Sequence, residues 1–290
     1  MRKILIVYFN LILFLLVSGL SAKEKGHLLI IGGGSKPPEA LKEFVALSND
    51  GPILVITSAS GFPEESGAAM LNQLIEAGAK NAQWLHIDSP EIANADSIVT
   101  KIESSTAIFF MGGVQERLMQ RLGGTRSEVE ILKLYFEKGG VIGGTSAGAA
   151  VMSKVMITGN ELINKDTTDA FVSIQAKNIE TKNGFGFLDN VIIDQHFVAR
   201  KRHNRLISLV LEIPKLVGIG IDEGTAILVY PDNKIRVFGK GSVIIYDARK
   251  TNAIQINQNG LIGGRNIIMD VLVDGDEFVI NSKKQKTNSK

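Results

Sequence analysis

Gly144-Thr145-Ser146-Ala147-Gly148 sets a serine between glycines two positions away on either side. This G-x-S-x-G spacing suits a nucleophile elbow, a tight strand-to-helix turn that lifts the serine hydroxyl above a sheet. VIGG before it is strand-like, and AGAAVMS after it is small and compact. At such a turn the Ala147 N–H and the helix start can stabilise an oxyanion. The same residues also suit a turn that only packs helix on strand, so a base and an orienting acid are needed. The chain has 4 histidines, which narrows the search. His27 and His86 lie at the start of one apolar strand pattern and within another, and read as structural. His203 lies in a basic helical stretch and reads as solvated. His196 ends the apolar run of VIIDQHF among polar residues and is the candidate base. Glu223 follows a short apolar strand in GIGIDEGTA and is the candidate acid, with Asp222 as its neighbouring rival. The order serine, histidine, acid departs from the serine, acid, histidine order of the α/β-hydrolases and disfavours that fold.

Charged and amide side chains cluster around this set. Asp194 and Gln195 precede His196, and Arg200, Lys201, Arg202 and Arg205 follow it. The cations can form a solvated helix face or a wall for carboxylates, which guanidinium forks bind bidentately. Arg202 and Arg205 share an ideal helix face better than Arg200 and Arg205 do, so at least one arginine reads as structural. Gly112-Gly113-Val114-Gln115 ends another apolar strand. It offers a second oxyanion N–H at Gly113 and a side-chain amide at Gln115. Gly32-Gly33-Gly34 lacks the third glycine of a dinucleotide fingerprint, because position 37 is proline, and is a weak cofactor signal. With 0 cysteines there is no thiol nucleophile, disulfide, iron–sulfur cluster or cysteine zinc site. No metal-ligand spacing appears, so neither metal nor cofactor is expected. A net charge of +2 is too small to suggest nucleic acid as a partner.

These residues need a frame that brings strand ends together. Hydrophobic residues make up 44% of the 290 and charged ones 21%, enough to build a sizeable core. Residues 1–22 have a basic start at Arg2 and Lys3, an apolar run of about 14 residues, then Ser18, Gly19, Ser21 and Ala22. The run is shorter than the roughly 20 residues that span a bilayer, so the segment reads as a cleaved signal peptide of a secreted or periplasmic protein. No membrane association is expected after cleavage.

Residues 23–280 read as one domain and 281–290 as a disordered tail. Apolar strands running into turns are expected over 27–35, 52–60, 81–87, 106–113 and 141–144. Helices are expected over 68–79, 92–104 and 127–140, the last capped near Gly139, with a helix beginning over 114–122. Continuous apolar strands alternating with helices indicate an α/β fold with a mostly parallel sheet sandwiched by helices. In such sheets ligands sit at the C-terminal strand ends. The stretch 154–190 reads as loops with short strands, and 197–213 as a helix. The C-terminal part from 233 is β-rich, with DGDE (274–277) as a hairpin turn.

The combination of Gly112–Gln115, Gly143–Ala149, Asp194-Gln195-His196-Phe197 with its arginines, and Gly218–Glu223 resembles the cyanophycinases. These belong to the serine peptidase family that also includes aspartyl dipeptidase. The resemblance spans Leu28 to about Tyr246. It implies a catalytic triad of Ser146, His196 and Glu223, with Glu223 rather than Asp222 as the acid. It implies a substrate pocket lined by Gln115, Asp194, Gln195, Arg200, Arg202 and Arg205, and a homodimer. The implied substrate is cyanophycin, a poly-aspartate carrying arginine on each side-chain carboxyl, cut to β-aspartyl-arginine dipeptides. A peptidase of the same family acting on other aspartyl or isoaspartyl peptides is the alternative.

Overall fold

The computed structural model describes residues 25–164 and 171–280. The expected signal peptide, 1–22, and tail, 281–290, lie outside the described residues. The apolar runs become β1 (His27–Ile31), β2 (Ile53–Ile56), β3 (Ala82–Leu85), β4 (Ala107–Phe110) and β5 (Val141–Thr145). They pair in parallel in the order β1-β5-β4-β2-β3. Strands β2, β4 and β5 are buried throughout, as strands covered on both faces must be, and β3 at the edge is not.

One face carries α1 (Pro38–Leu47) and α2 (Pro63–Glu76), whose Leu41, Phe44, Met70 and Leu74 share a core with Leu29, Val55 and Phe109. The other face carries α3 (Pro90–Ala93), α4 (Asp96–Glu103), α5 (Gln115–Leu122), α6 (Arg126–Phe136) and the short α7 (Ala147–Ala150). Helix α2 begins five positions before its apolar pattern, because Pro63 is fit for a first helical position and Glu64 and Glu65 complement the helix dipole. The single helix expected over 92–104 is two. Ser89 caps the first, accepting from the Ile92 N–H at 3.3 Å, and Asn94 ends it, with its side chain accepting from the Arg126 N–H at 2.8 Å. Helix α6 is capped at Glu137, and Gly139, at φ 69°, turns the chain into β5.

The second half adds β6 (Val155–Glu161) and β7 (Ile179–Asn183), an antiparallel ribbon, then β8 (Val191–Gln195), α8 (His203–Glu212) and β9 (Val217–Ile221). Next come β10 (Thr225–Val229), β11 (Lys234–Gly239), β12 (Val243–Asp247), β13 (Asn252–Ile256), β14 (Ile262–Arg265), β15 (Ile268–Leu272) and β16 (Glu277–Val279). Strands β10, β11 and β16 extend the large sheet to 8 strands by antiparallel pairing beside β1. Strands β15, β12, β9 and β8 form a second sheet in that order, with β8 and β9 parallel. Ile193, Ile219, Ile221 and Val243 of this sheet pack into one core with Leu28, Ile30, Ile142 and Ile227 of the large one. Helix α8 covers the opposite face of the small sheet, with Leu206, Leu209 and Val210 against Ile192 and Phe197. The β-rich part therefore supplies part of the cover that helices supply elsewhere.

Two other expectations change. Residues 197–202 form a turn rather than the start of α8, because His196 and Lys201 have positive φ, 50° and 53°. DGDE is a turn, with Gly275 at φ 85°, but it closes no hairpin. Strand β15 pairs with β12 and β16 with β11, so this turn carries the chain from one sheet to the other. No helix among the described residues is long and apolar enough to cross a membrane.

Candidate active site

Three parallel strands end together where the two sheets meet. Strand β5 of the large sheet ends at Thr145, and Ser146 follows at φ 53°, ψ −111°, a strained conformation for a residue with a side chain. Its N–H donates to the Ile31 carbonyl at 3.1 Å, and its own carbonyl accepts from the Ala149 and Ala150 N–H groups at 3.0 Å. The flanking glycines are set by close backbone approach. A Cβ at Gly144 would lie 2.3 Å from the Gly148 carbonyl oxygen, and one at Gly148 would lie 2.2 Å from that of Phe110. Strands β8 and β9 of the small sheet end just before His196 and Glu223.

The three side chains form one relay. His196 Nε2 lies 2.9 Å from Ser146 Oγ, and His196 Nδ1 lies 2.5 Å from Glu223 Oε1. With Nδ1–H donating to the carboxylate, Nε2 is left as the acceptor for the serine hydroxyl. Burial pushes the imidazole below its ordinary pKa. The hydrogen bond to Glu223 opposes this, and the Arg200 and Arg202 charges reinforce it. The ring is therefore neutral at neutral pH, the state a general base needs.

Asp222 has a different place. Its Oδ1 accepts from the Val198 and Ala199 N–H groups at 3.1 and 2.9 Å, which holds the turn after His196. The glycine run after β1, weak as a cofactor signal, lies against the relay. The His196 N–H donates to the Gly32 carbonyl at 2.7 Å. A Cβ at Gly33, where φ is 115°, would lie 2.2 to 2.7 Å from atoms of the imidazole ring. Its signal in the sequence was its position at the end of the first parallel strand.

The surrounding polar residues are more engaged with one another than the sequence alone suggests. Asp194 and Arg205 are both buried and form a fork, with Arg205 Nε donating to Oδ2 at 2.7 Å and Nη2 donating to Oδ1. Arg205 also lies over the Phe171 ring at 4.8 Å, while its Nη1 has no partner among the described residues. Arg202 Nη1 donates to the Gln195 backbone and side-chain oxygens at 2.6 and 2.9 Å. Burial, followed by the charge of Arg205, lowers the Arg202 pKa to about 10, which leaves it a cation at neutral pH. Arg200 is exposed. Gln115 is buried, and its Nε2 donates to the Ile157 and Thr158 carbonyls at 2.9 and 2.6 Å, tying α5 to the β6–β7 ribbon. His203 is not simply solvated: its Nδ1 is 2.9 Å from the Tyr246 hydroxyl and its ring lies against Phe197.

For the oxyanion, Ala147 opens α7, where a first-turn N–H has no acceptor within the helix. Gly112 brings the second strand-end turn to the serine: a Cβ there would lie 3.3 Å from Ser146 Cβ. Gly113 is the next residue.

A serine on a strained turn, bonded to an imidazole that is backed by a carboxylate, is the arrangement of a serine-type hydrolase. Residues 28–237 match the family model of Peptidase family S51. The chain is 32% identical to a cyanophycinase from Synechococcus elongatus over 264 residues, 87% of this chain and 79% of that protein. It is 34% identical to a cyanophycinase from Nostoc sp. over 266 residues, 88% and 85% of the two chains. Among solved structures, that of a peptidase from an acI-B1 Actinobacterium superposes with a TM-score of 0.64 at 22% identity, covering 89% of this chain and 98% of that one, and shares its fold. The chain belongs to Peptidase family S51 and is a serine-type peptidase.

Proposed function

We propose that this protein is an exported exopeptidase that hydrolyses cyanophycin to β-aspartyl-arginine dipeptides. The observation that carries the mechanism is the continuous relay from Ser146 Oγ through His196 to Glu223, at 2.9 and 2.5 Å. The substrate class rests on the relatives that carry the name cyanophycinase. Export rests on the composition of residues 1–22.

Ser146 attacks the backbone carbonyl between aspartyl units. His196 takes the serine proton at Nε2 and later gives it to the leaving amine, and Glu223 holds the ring and offsets the charge that forms on it. The Ala147 N–H, with that of Gly113, receives the oxyanion, a donor role worth about 2.7–4 kcal/mol each in such sites. Arg200, exposed beside the relay, and Arg202 present positive charge to substrate carboxylates. Asp194 and Arg205 act through position: their buried fork fixes the end of β8 from which His196 projects. Gln115 and Gln195 hold the two walls.

The test is incubation of the 23–290 protein with insoluble cyanophycin, following clearing and, by mass spectrometry, released dipeptide. Release by the wild type and not by Ser146→Ala is expected. No release from a wild-type protein that still reacts with a serine-directed probe refutes the substrate and leaves the serine-type reading standing.

A further inference from the structure

An arginyl side chain in the substrate needs a receiver. The acids of the site and Glu180 of the β6–β7 ribbon are already committed, as is Asp222, which holds the Val198 and Ala199 N–H groups. Both Asp194 oxygens are taken by Arg205, Glu223 holds His196, and Glu180 accepts from Thr158 and Asn160 at 2.8 and 2.7 Å. The Gln195 amide oxygen is taken by Arg202, and Gln115, whose Nε2 donates to backbone, has only its uncharged amide oxygen left to offer a guanidinium. The wall beyond His196 carries Arg200 and Arg202, which repel a guanidinium.

The other wall differs. Gly113 packs on the loop after β2 so closely that a Cβ there would lie 2.0 Å from the Ala59 carbonyl oxygen and 2.9 Å from Ser60 Cα. Two residues on, within roughly 7 Å of chain, is Phe62. It is 71% exposed, the most exposed of the large apolar side chains among the described residues. Glu64 and Glu65 follow it, both exposed and neither in an ion pair with a described residue. The backbone beneath is pinned. The Phe62 N–H donates to Ser60 Oγ at 3.0 Å, Ser60 Oγ meets Ser66 Oγ at 2.7 Å, and Arg117 Nη1 donates to the Ala59 and Ser60 carbonyls at 3.2 Å. The Val114 N–H donates to the Ala59 carbonyl at 2.9 Å, which joins this loop to the Gly112–Gly113 turn. A fixed loop thus offers an uncovered aromatic side chain, followed at once in the chain by two exposed carboxylates that have no ion-pair partner among the described residues. A guanidinium on an alkyl chain is the ligand that uses both.

We infer that Phe62, with Glu64 and Glu65, is the subsite for an arginyl side chain of the substrate. The inference rests on the arginine-bearing substrate proposed above. Its test compares cyanophycin with a plain aspartyl peptide as substrates for Phe62→Ala, Phe62→Trp and the double variant Glu64→Gln/Glu65→Gln. Phe62→Ala is expected to raise KM for cyanophycin about three- to thirtyfold with kcat and melting temperature unchanged. Phe62→Trp is expected to keep KM near wild type. The double glutamine variant is expected to raise KM at low salt and less at high salt. None of these changes is expected with the plain peptide. A Phe62→Ala enzyme whose KM for cyanophycin matches that of an active wild type overturns the subsite alone, and so does an equal rise in KM on both substrates. A wild type inactive on cyanophycin overturns the substrate reading and the subsite with it.

Discussion

Replacing Arg205 by alanine separates a positioning residue from a substrate ligand. The Arg205 and Asp194 side chains are 2% and 0% exposed, so their fork is sealed from water. Truncating the arginine strands the Asp194 carboxylate, which keeps the Gln195 N–H at 2.7 Å and sees Arg202 Nη1 only at 3.8 Å. Breaking one side of a buried pair costs about 3–5 kcal/mol, because the remaining charge is uncompensated. At about 2–4 °C per kcal/mol for a domain of this size, the melting temperature should fall by roughly 6–20 °C. The exposed pair Lys80–Asp50, 71% and 65% accessible, provides the contrast: breaking it should cost about 0–1 kcal/mol. Circular dichroism melts and urea titrations of both variants give the comparison. Adding Asp194→Asn to Arg205→Met should recover much of the lost stability, since no charge is then left unpaired. An Arg205→Ala protein within about 1 kcal/mol of wild type that nevertheless shows a raised KM would refute the positioning role and make Arg205 a substrate contact.

Other outcomes follow from the same geometry. Because burial and the neighbouring arginines hold His196 below its ordinary pKa, the acid limb of kcat/KM should have its midpoint below that of a free histidine; Arg200→Gln should move it to higher pH, as a pH–rate profile will show. Ser146→Ala should lower kcat by about 10⁶-fold with an unchanged melting curve, checked by product release over long incubations. Gly33→Ala should abolish most activity, because the added methyl falls within 2.7 Å of the His196 ring at a backbone angle of φ 115°; activity within about tenfold of wild type would show that the ring can yield.

Much of the frame was legible because each element is locally consistent: HLLII, ILVI and AIFF are apolar without interruption and became parallel strands. Ser146, His196 and Glu223 could be picked out because each follows an apolar strand, and the fold brings those three ends together. The rivalry of Asp222 and Glu223 could not be resolved locally. It turns on which carboxylate reaches the ring and which caps residues 198–199, and that depends on the direction of a turn. The late start of α8 was hidden because positive φ at His196 and Lys201 is imposed by packing rather than by propensity. The buried pairing of Arg205 with Asp194 was hidden because sequence shows charge and not burial. The DGDE turn misled for a related reason: a turn signal marks where a chain bends and not which strands it joins.

The relay is divided between two sheets, with the serine on the large one and the imidazole and carboxylate on the small one. Hydrolysis therefore works as a gauge of how the two halves are seated. A slip of about 1 Å at their shared apolar contact stretches a 2.9 Å bond past useful length while every strand keeps its own ladder. Under mild denaturant, turnover should then fade before circular dichroism registers any loss of secondary structure.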